Sequence, residues 1–110
     1  MALRGVFHSV FLDGELIVAI EGAFDGVAPD YHRVTEDAFA HGATCVVVDL
    51  TRTTAAGAGG YAALAATAAS CAARAVRFVL SLPGGIEGEI TDPEQIRPML
   101  GDVETWRDSG

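Results

Sequence analysis

The sequence predicts an α/β fold: a single domain with one mixed sheet, helices packed on it, and the order β-β-α-β-α-β-α. Three observations carry that expectation. Runs rich in β-branched and aromatic residues recur along the chain as GVFHSVFL, ELIVAIE, ATCVVVDL and VRFVLSL. Segments with apolar residues at helical spacing separate the later runs. The dipeptide Asp13-Gly14 joins the first two runs directly, which is a hairpin-turn signature.

Each element has its own local reason. Gly5–Leu12 alternates loosely, Phe7, Ser9 and Phe11 against Val6, His8 and Val10, as a strand with one covered face does. Glu15–Glu21 completes the hairpin. Phe24-Asp25-Gly26 reads as a tight turn. A helix is expected over about Pro29–His41, with Pro29 in the first turn, Asp30 at the positive end of the helix dipole and Gly42 just past the end. Its stripe is Tyr31, Val34, Ala38 and His41, with Thr35 and Phe39 beside it.

Ala43–Leu50 is a continuous apolar run ending in an acid, the pattern of a central strand covered on both faces. A loop from Thr51 to Ala56 follows. A helix is then expected over about Gly59–Arg74, with Tyr61, Leu64, Ala68, Cys71 and Ala75 as its apolar stripe. Its other positions are mostly alanine, which favours helix and adds no bulk. Val76–Leu82 is a short strand ended by Pro83-Gly84-Gly85. After it, Thr91 or Asp92 caps a short helix with Pro93 at its first position, ended by Gly101. Trp106 folds back toward the core, and residues 1–4 and about 105–110 are expected to fray.

Composition narrows the function classes. A chain of 110 residues, half of them hydrophobic, suits one folded core. No apolar run is long enough to cross a bilayer, and the first residues carry no long apolar stretch, so a cytosolic protein without membrane association is expected. The formal net charge is −8, and every basic side chain is an arginine. Without a basic cluster, nucleic-acid binding is not expected, and a basic or mixed-charge protein partner fits better. Cys45 and Cys71 form no Cys-x-x-Cys pair and read as small buried hydrophobes. His8, His32 and His41 have no metal-ligand spacing, so no metal or cofactor is expected.

The stretch Val46–Leu64, VVVDLTRTTAAGAGGYAAL, runs from strand through a threonine- and glycine-rich loop into a helix. Backbone N–H groups at such a helix start attract anions. Gly57-Ala58-Gly59-Gly60-Tyr61-Ala62 also satisfies the G-x-G-x-x-G/A dinucleotide pattern. Six loop residues separate it from the strand, however, and no acid lies in Val76–Leu82 where the ribose would need one. The absence of lysine excludes a Walker A loop, and no Gly-x-Ser-x-Gly or local Cys–His arrangement is present. Asp49 closes a strand, where α/β folds host sites, yet it has no catalytic companion and reads as a cap for the following loop. No catalytic residue is assigned, and the chain is read as non-enzymatic.

Three features together resemble the STAS domain family, the sulfate transporter and anti-sigma factor antagonist domains. They are Leu16–Asp25 with its Gly-x-x-Asp ending, the strand Val46–Thr51 ending Asp-Leu-Thr, and the loop to a Gly-Gly-Tyr helix start. The resemblance covers Val6–Leu82; the segment beyond departs from the family's usual ending. It implies a regulatory domain of a bacterial signalling system that affects transcription by binding an anti-sigma factor or a related kinase-like protein. A homodimer is a further association left open. The implied contact surface is Asp25 and Gly26 with Thr51, Arg52, Thr53, Thr54, Gly57, Ala58, Gly59, Gly60 and Tyr61.

The departures from the family bear on regulation. Gly57 stands where the family has aspartate, and Ala58 and Gly59 stand where it has two hydroxyl residues. The second hydroxyl is the one that anti-sigma kinases phosphorylate, so the resemblance implies a switch position that this chain cannot use. Thr51, Thr53 and Thr54 lie near; loop threonines ordinarily bond to nearby backbone. The alternative reading is a small-ligand, anion or nucleotide sensor that uses the helix start.

Overall fold

The computed structural model describes residues 5–103 and Trp106. Five strands, β1 (Val6–Leu12), β2 (Glu15–Ala23), β3 (Cys45–Ala55), β4 (Arg77–Leu82) and β5 (Ile86–Glu89), form one sheet in the order β1-β2-β3-β4-β5. Helix α1 (Ala28–Ala40) joins β2 to β3, α2 (Ala58–Arg74) joins β3 to β4, and α3 (Ile96–Gly101) follows β5. Single 3-10 turns at Asp25–Val27 and Pro93–Gln95 lead into α1 and α3. The two crossover helices make β2, β3 and β4 parallel, while β1 and β5 pair antiparallel at the two edges.

The expected hairpin is present. Asp13 and Gly14 both have positive φ, 53° and 79°, as a two-residue turn between twisted strands requires. The helix ends also follow from the sequence: Pro29 lies in the first turn of α1, and Gly42 takes φ 83° just past its end. At the other end of the chain Asp92 accepts from the Glu94 N–H at 2.9 Å, while the Gln95 side chain accepts from the Asp92 N–H at 2.9 Å.

Four expectations need correction. Strand β5 was not foreseen: Pro83-Gly84-Gly85 ends β4 as expected, but Gly84 and Gly85, at φ 84° and 80°, also turn the chain back antiparallel on it. Strand β3 runs on to Ala55, so most of the expected Thr51–Ala56 loop is strand. That strand is covered on one face only: Val46, Val48 and Leu50 are buried, while Cys45, Val47 and Asp49 on the other face are half-buried. On the helices, His41 and Ala75 are exposed, and Gly60 and Thr67 lie buried in the expected alanine face of α2.

The core lies between the sheet and its helices. Leu16, Val46 and Phe78 stand in one cross-strand row, and Val18, Val48 and Leu80 in the next, all at 0–1% exposure. Tyr31 of α1 and Leu64, Ala68 and Cys71 of α2 close over them. Tyr31 and Thr67 tie the two helices by a 2.6 Å bond between their hydroxyls, and Thr67 donates its own proton to the Ala63 carbonyl. Trp106 is buried, and its indole N–H donates to the Thr53 carbonyl at 3.1 Å. Of the ends read as fraying, 1–4 and about 105–110, Trp106 is instead held in place, and the others lie outside the described residues.

Candidate functional site

The corner where β3 enters α2 is built by the end of β2. Gly22 adopts φ 82°, and the β2–β3 register slips between Ala19 and Glu21 and again between Gly22 and Ala23. The slips swing Phe24 inward, where it is fully buried, packs T-shaped against the Tyr31 ring with centroids 5.3 Å apart, and bonds through its N–H to the Ala55 carbonyl. Asp25 follows at once and is thereby aimed at the first turn of α2.

Its carboxylate takes three backbone donors of that helix start. Oδ1 accepts from the N–H groups of Gly57 and Gly60, each at 2.8 Å, and Oδ2 accepts from the Gly59 N–H at 3.2 Å. A helix begins with unpaired N–H groups and a partial positive charge, and a carboxylate answers both. No side chain of α2's own N-terminal residues does so.

The glycines make that approach physically feasible. A Cβ at position 57 would stand 2.8 Å from Asp25 Oδ2, and one at position 59 would be 3.3 Å from the same oxygen. At position 60 it would meet Asp25 Oδ1 at 3.0 Å and the Phe24 ring at 3.1 Å. These residues leave room for the chain's own carboxylate to lie on the helix axis.

That geometry answers the anion-site question raised by the sequence. The donors that would cradle a phosphate are already bonded to Asp25, and a bound anion would have to displace it against like charge. The dinucleotide pattern meets the same obstacle. The objection drawn from its distance to the strand falls away, because β3 reaches Ala55, but the donors it needs are occupied.

The remaining expected residues divide among three places. Gly57, Ala58 and Gly59 are exposed at the corner with Asp25 and Gly26, whereas Gly60 is buried. Tyr61 is half-buried beneath the Arg97 guanidinium of α3, 5.0 Å above its ring. Thr51 and Arg52 lie at the C-terminal end of the parallel strands. There Asp49 accepts from the Thr51 N–H at 2.9 Å and hydroxyl at 2.7 Å, the expected loop cap. Arg52 pairs with Glu21 at 3.5 Å, and Glu21 also meets His8. These residues rim a shallow depression of about 210 Å³ lined by Ala19, Ile20, Glu21, Asp49, Thr51 and Arg52.

Thr53 does not belong to a contact surface. It is 3% exposed, donates to the Ile20 carbonyl at 2.8 Å, and its own carbonyl holds Trp106. Thr54, one residue on, is exposed. Sequence reasoning found Asp25 as a turn residue and missed it as the cap of α2; the Gly-x-x-Asp and Gly-x-Gly-Gly segments are complementary halves separated by a whole α-β unit.

Other reactive groups are quiet. Burial pushes the Cys71 thiol up to about 11, so it stays protonated at neutral pH. Cys45, expected to be buried, is half-exposed on the open face, and its thiol is also raised by desolvation. Among the described residues no group of three or more His, Cys, Asp or Glu side chains is placed to hold a metal ion. No described helix is long and apolar enough to cross a membrane.

A mixed sheet with one helix-covered face, and α2 starting where the second parallel strand ends, defines a STAS-like fold. It is similar to the crystal structure of an anti-sigma factor antagonist from Mycobacterium paratuberculosis, with a TM-score of 0.59 and 22% identity, over 94% of this chain and 83% of that one. No family model matches the chain, and no curated protein does.

Proposed function

We propose that this chain is a non-enzymatic regulatory domain of the anti-sigma factor antagonist kind, acting in the cytosol by binding an anti-sigma factor or a related kinase-like protein. The contact surface is the corner formed by Asp25, Gly26, Gly57, Ala58 and Gly59, extended by the exposed Thr51, Arg52 and Thr54 and the half-buried Tyr61. One observation carries the reading: at the helix start the chain holds a fixed carboxylate, Asp25, with no hydroxyl from Gly57 to Gly60. The STAS-like fold and its likeness to an antagonist structure support the class of partner.

The corner is constitutive. A phosphate adds about −1.5 to −2 charge, and next to the Asp25 carboxylate it would be repelled. Binding is therefore set by the partner's abundance and not by phosphorylation of this loop. Calorimetric titration with candidate kinase-like anti-sigma factors, with and without ATP, tests this. The expected result is binding unchanged by ATP and no phosphate incorporated. Phosphate mapped to Thr51 or Thr54 with loss of binding would overturn the constitutive reading. No binding to any such protein, together with thermal stabilisation by phosphate or a nucleotide alone, would replace the partner reading with a ligand sensor.

A further inference from the structure

The two edges of the sheet are guarded very differently. Strand β5 is four residues long, with exposed Glu87 and Glu89. A short, charged edge resists pairing with another chain. Strand β1 at the opposite edge is seven residues long, VFHSVFL, with no proline and no Asp, Glu, Lys or Arg. No described segment pairs with its outer side. Val6, Val10, Phe11 and Leu12 are 48%, 57%, 41% and 68% exposed, and the neighbouring Ile17 is 41% exposed. Among the described residues, the exposed large hydrophobic side chains all lie on this hairpin.

We infer that β1 is the interface of a symmetric homodimer, in which two copies pair their β1 strands antiparallel about Ser9. The sequence of the strand is nearly its own mirror image. Centred on Ser9, it places Val6 against Leu12 of the second copy, Phe7 against Phe11, His8 against Val10, and Ser9 against itself. A two-fold axis needs that kind of self-matching surface. A two-fold perpendicular to the sheet keeps each residue on its own face. Phe7 and Phe11 lie on the helix side, opposite Ile20 and Leu16, so the pair gains two cross-strand aromatic contacts there. On the open side Val10 begins an apolar row that continues through Ile17, Val47 and Val79, and in the pair it faces the imidazole-bearing His8 position of the second copy.

Like charge opposes the approach of two copies and limits where they can meet. The molecule carries a net charge of −8, and β1 is a stretch where two copies can meet without placing carboxylates face to face. The size of the contact sets its strength. The exposed apolar side chains offer on the order of a few hundred Å² per copy, below the roughly 1,200 Å² total of a small specific interface before the strand backbones are counted. The dimer is accordingly weak, with a dissociation constant on the order of 10 µM to 1 mM.

Sedimentation velocity over that concentration range tests the proposal on the full chain. A reversible monomer–dimer equilibrium is expected. Ser9→Lys, which sets two like charges directly opposite each other, should shift it to monomer while far-UV circular dichroism stays unchanged. Glu87→Gln at the other edge should leave the dimer intact. In a Cys45→Ser background, Ser9→Cys should oxidise to a covalent dimer joined at position 9. A monomer at every concentration, or a dimer that Ser9→Lys leaves intact, overturns it. So does a monomer whose Val6–Leu12 amides become protected from hydrogen exchange only when another protein is added.

Discussion

Removing the Asp25 carboxylate leaves the amides of Gly57, Gly59 and Gly60 without their acceptor. Losing a helix cap costs about 1 kcal/mol, and Asp25→Ala should lower stability by roughly 1–2 kcal/mol because three donors are involved. Asp25→Asn keeps one oxygen and should cost less; urea denaturation of both variants measures the difference. The glycines respond by position. Gly60→Ala drives a methyl against Phe24, which is fully buried and has nowhere to move, so a loss of about 1–3 kcal/mol is expected. Gly26→Ala meets nothing within 4 Å in a helical turn and should be neutral or stabilising by up to about 1 kcal/mol. Equal losses at the two positions in thermal melts would contradict the close-approach account of Gly60.

Between elements, the long ties converge on the end of β3. The Thr53 side chain bonds β2 and its carbonyl holds Trp106, while Arg97 lies over Tyr61. The segment after β5 is thus fastened to the same region that carries the candidate site. Trp106→Phe removes the donor to the Thr53 carbonyl and should cost about 1 kcal/mol or more in urea denaturation. Trp106 is the one tryptophan, so its emission should be blue-shifted in the folded protein and move red in a single step on unfolding. At this scale the sequence was legible where periodicity is local. It placed β1, β2, α1, α2 and β4 within two residues or so of their ends. Strand β5, whose IEGE has little β signal, was invisible because it becomes a strand only by pairing with β4.

For the molecule as a whole, pH dependence follows from what the core buries. Tyr31, fully buried, has its phenol pushed well above the usual range by desolvation, and Cys71 is raised to about 11. Both groups are neutral when protonated, and folding favours that form. Above the unfolded-state values, about 9 for the thiol and 10 for the phenol, the unfolded chain has released protons that the folded chain retains. Stability therefore falls as pH rises from about 9 upward and is unaffected by these groups below it. Urea midpoints measured from pH 7 to 11 should drop in that window. Cys71→Ala should flatten the early part of the fall and Tyr31→Phe the later part; an unchanged slope in both variants would contradict this.

The fold class and the β-hairpin followed from patterns a few residues long, because turn chemistry and hydrophobic period act between near neighbours. So did the helix ends at Pro29, Gly42 and Asp92. The absence of an acceptor hydroxyl from Gly57 to Gly60 was equally plain in the chain. What that absence means was not. Asp25 and Gly57 are separated by α1 and β3 in sequence, and no local pattern says that they meet. The meeting depends on the bulged end of β2, on Phe24 seated in the core, and on parallel pairing that brings both strand ends to one side. A helix start that reads as an open anion cradle proves to be closed by the chain's own carboxylate, and that closure required the assembled sheet.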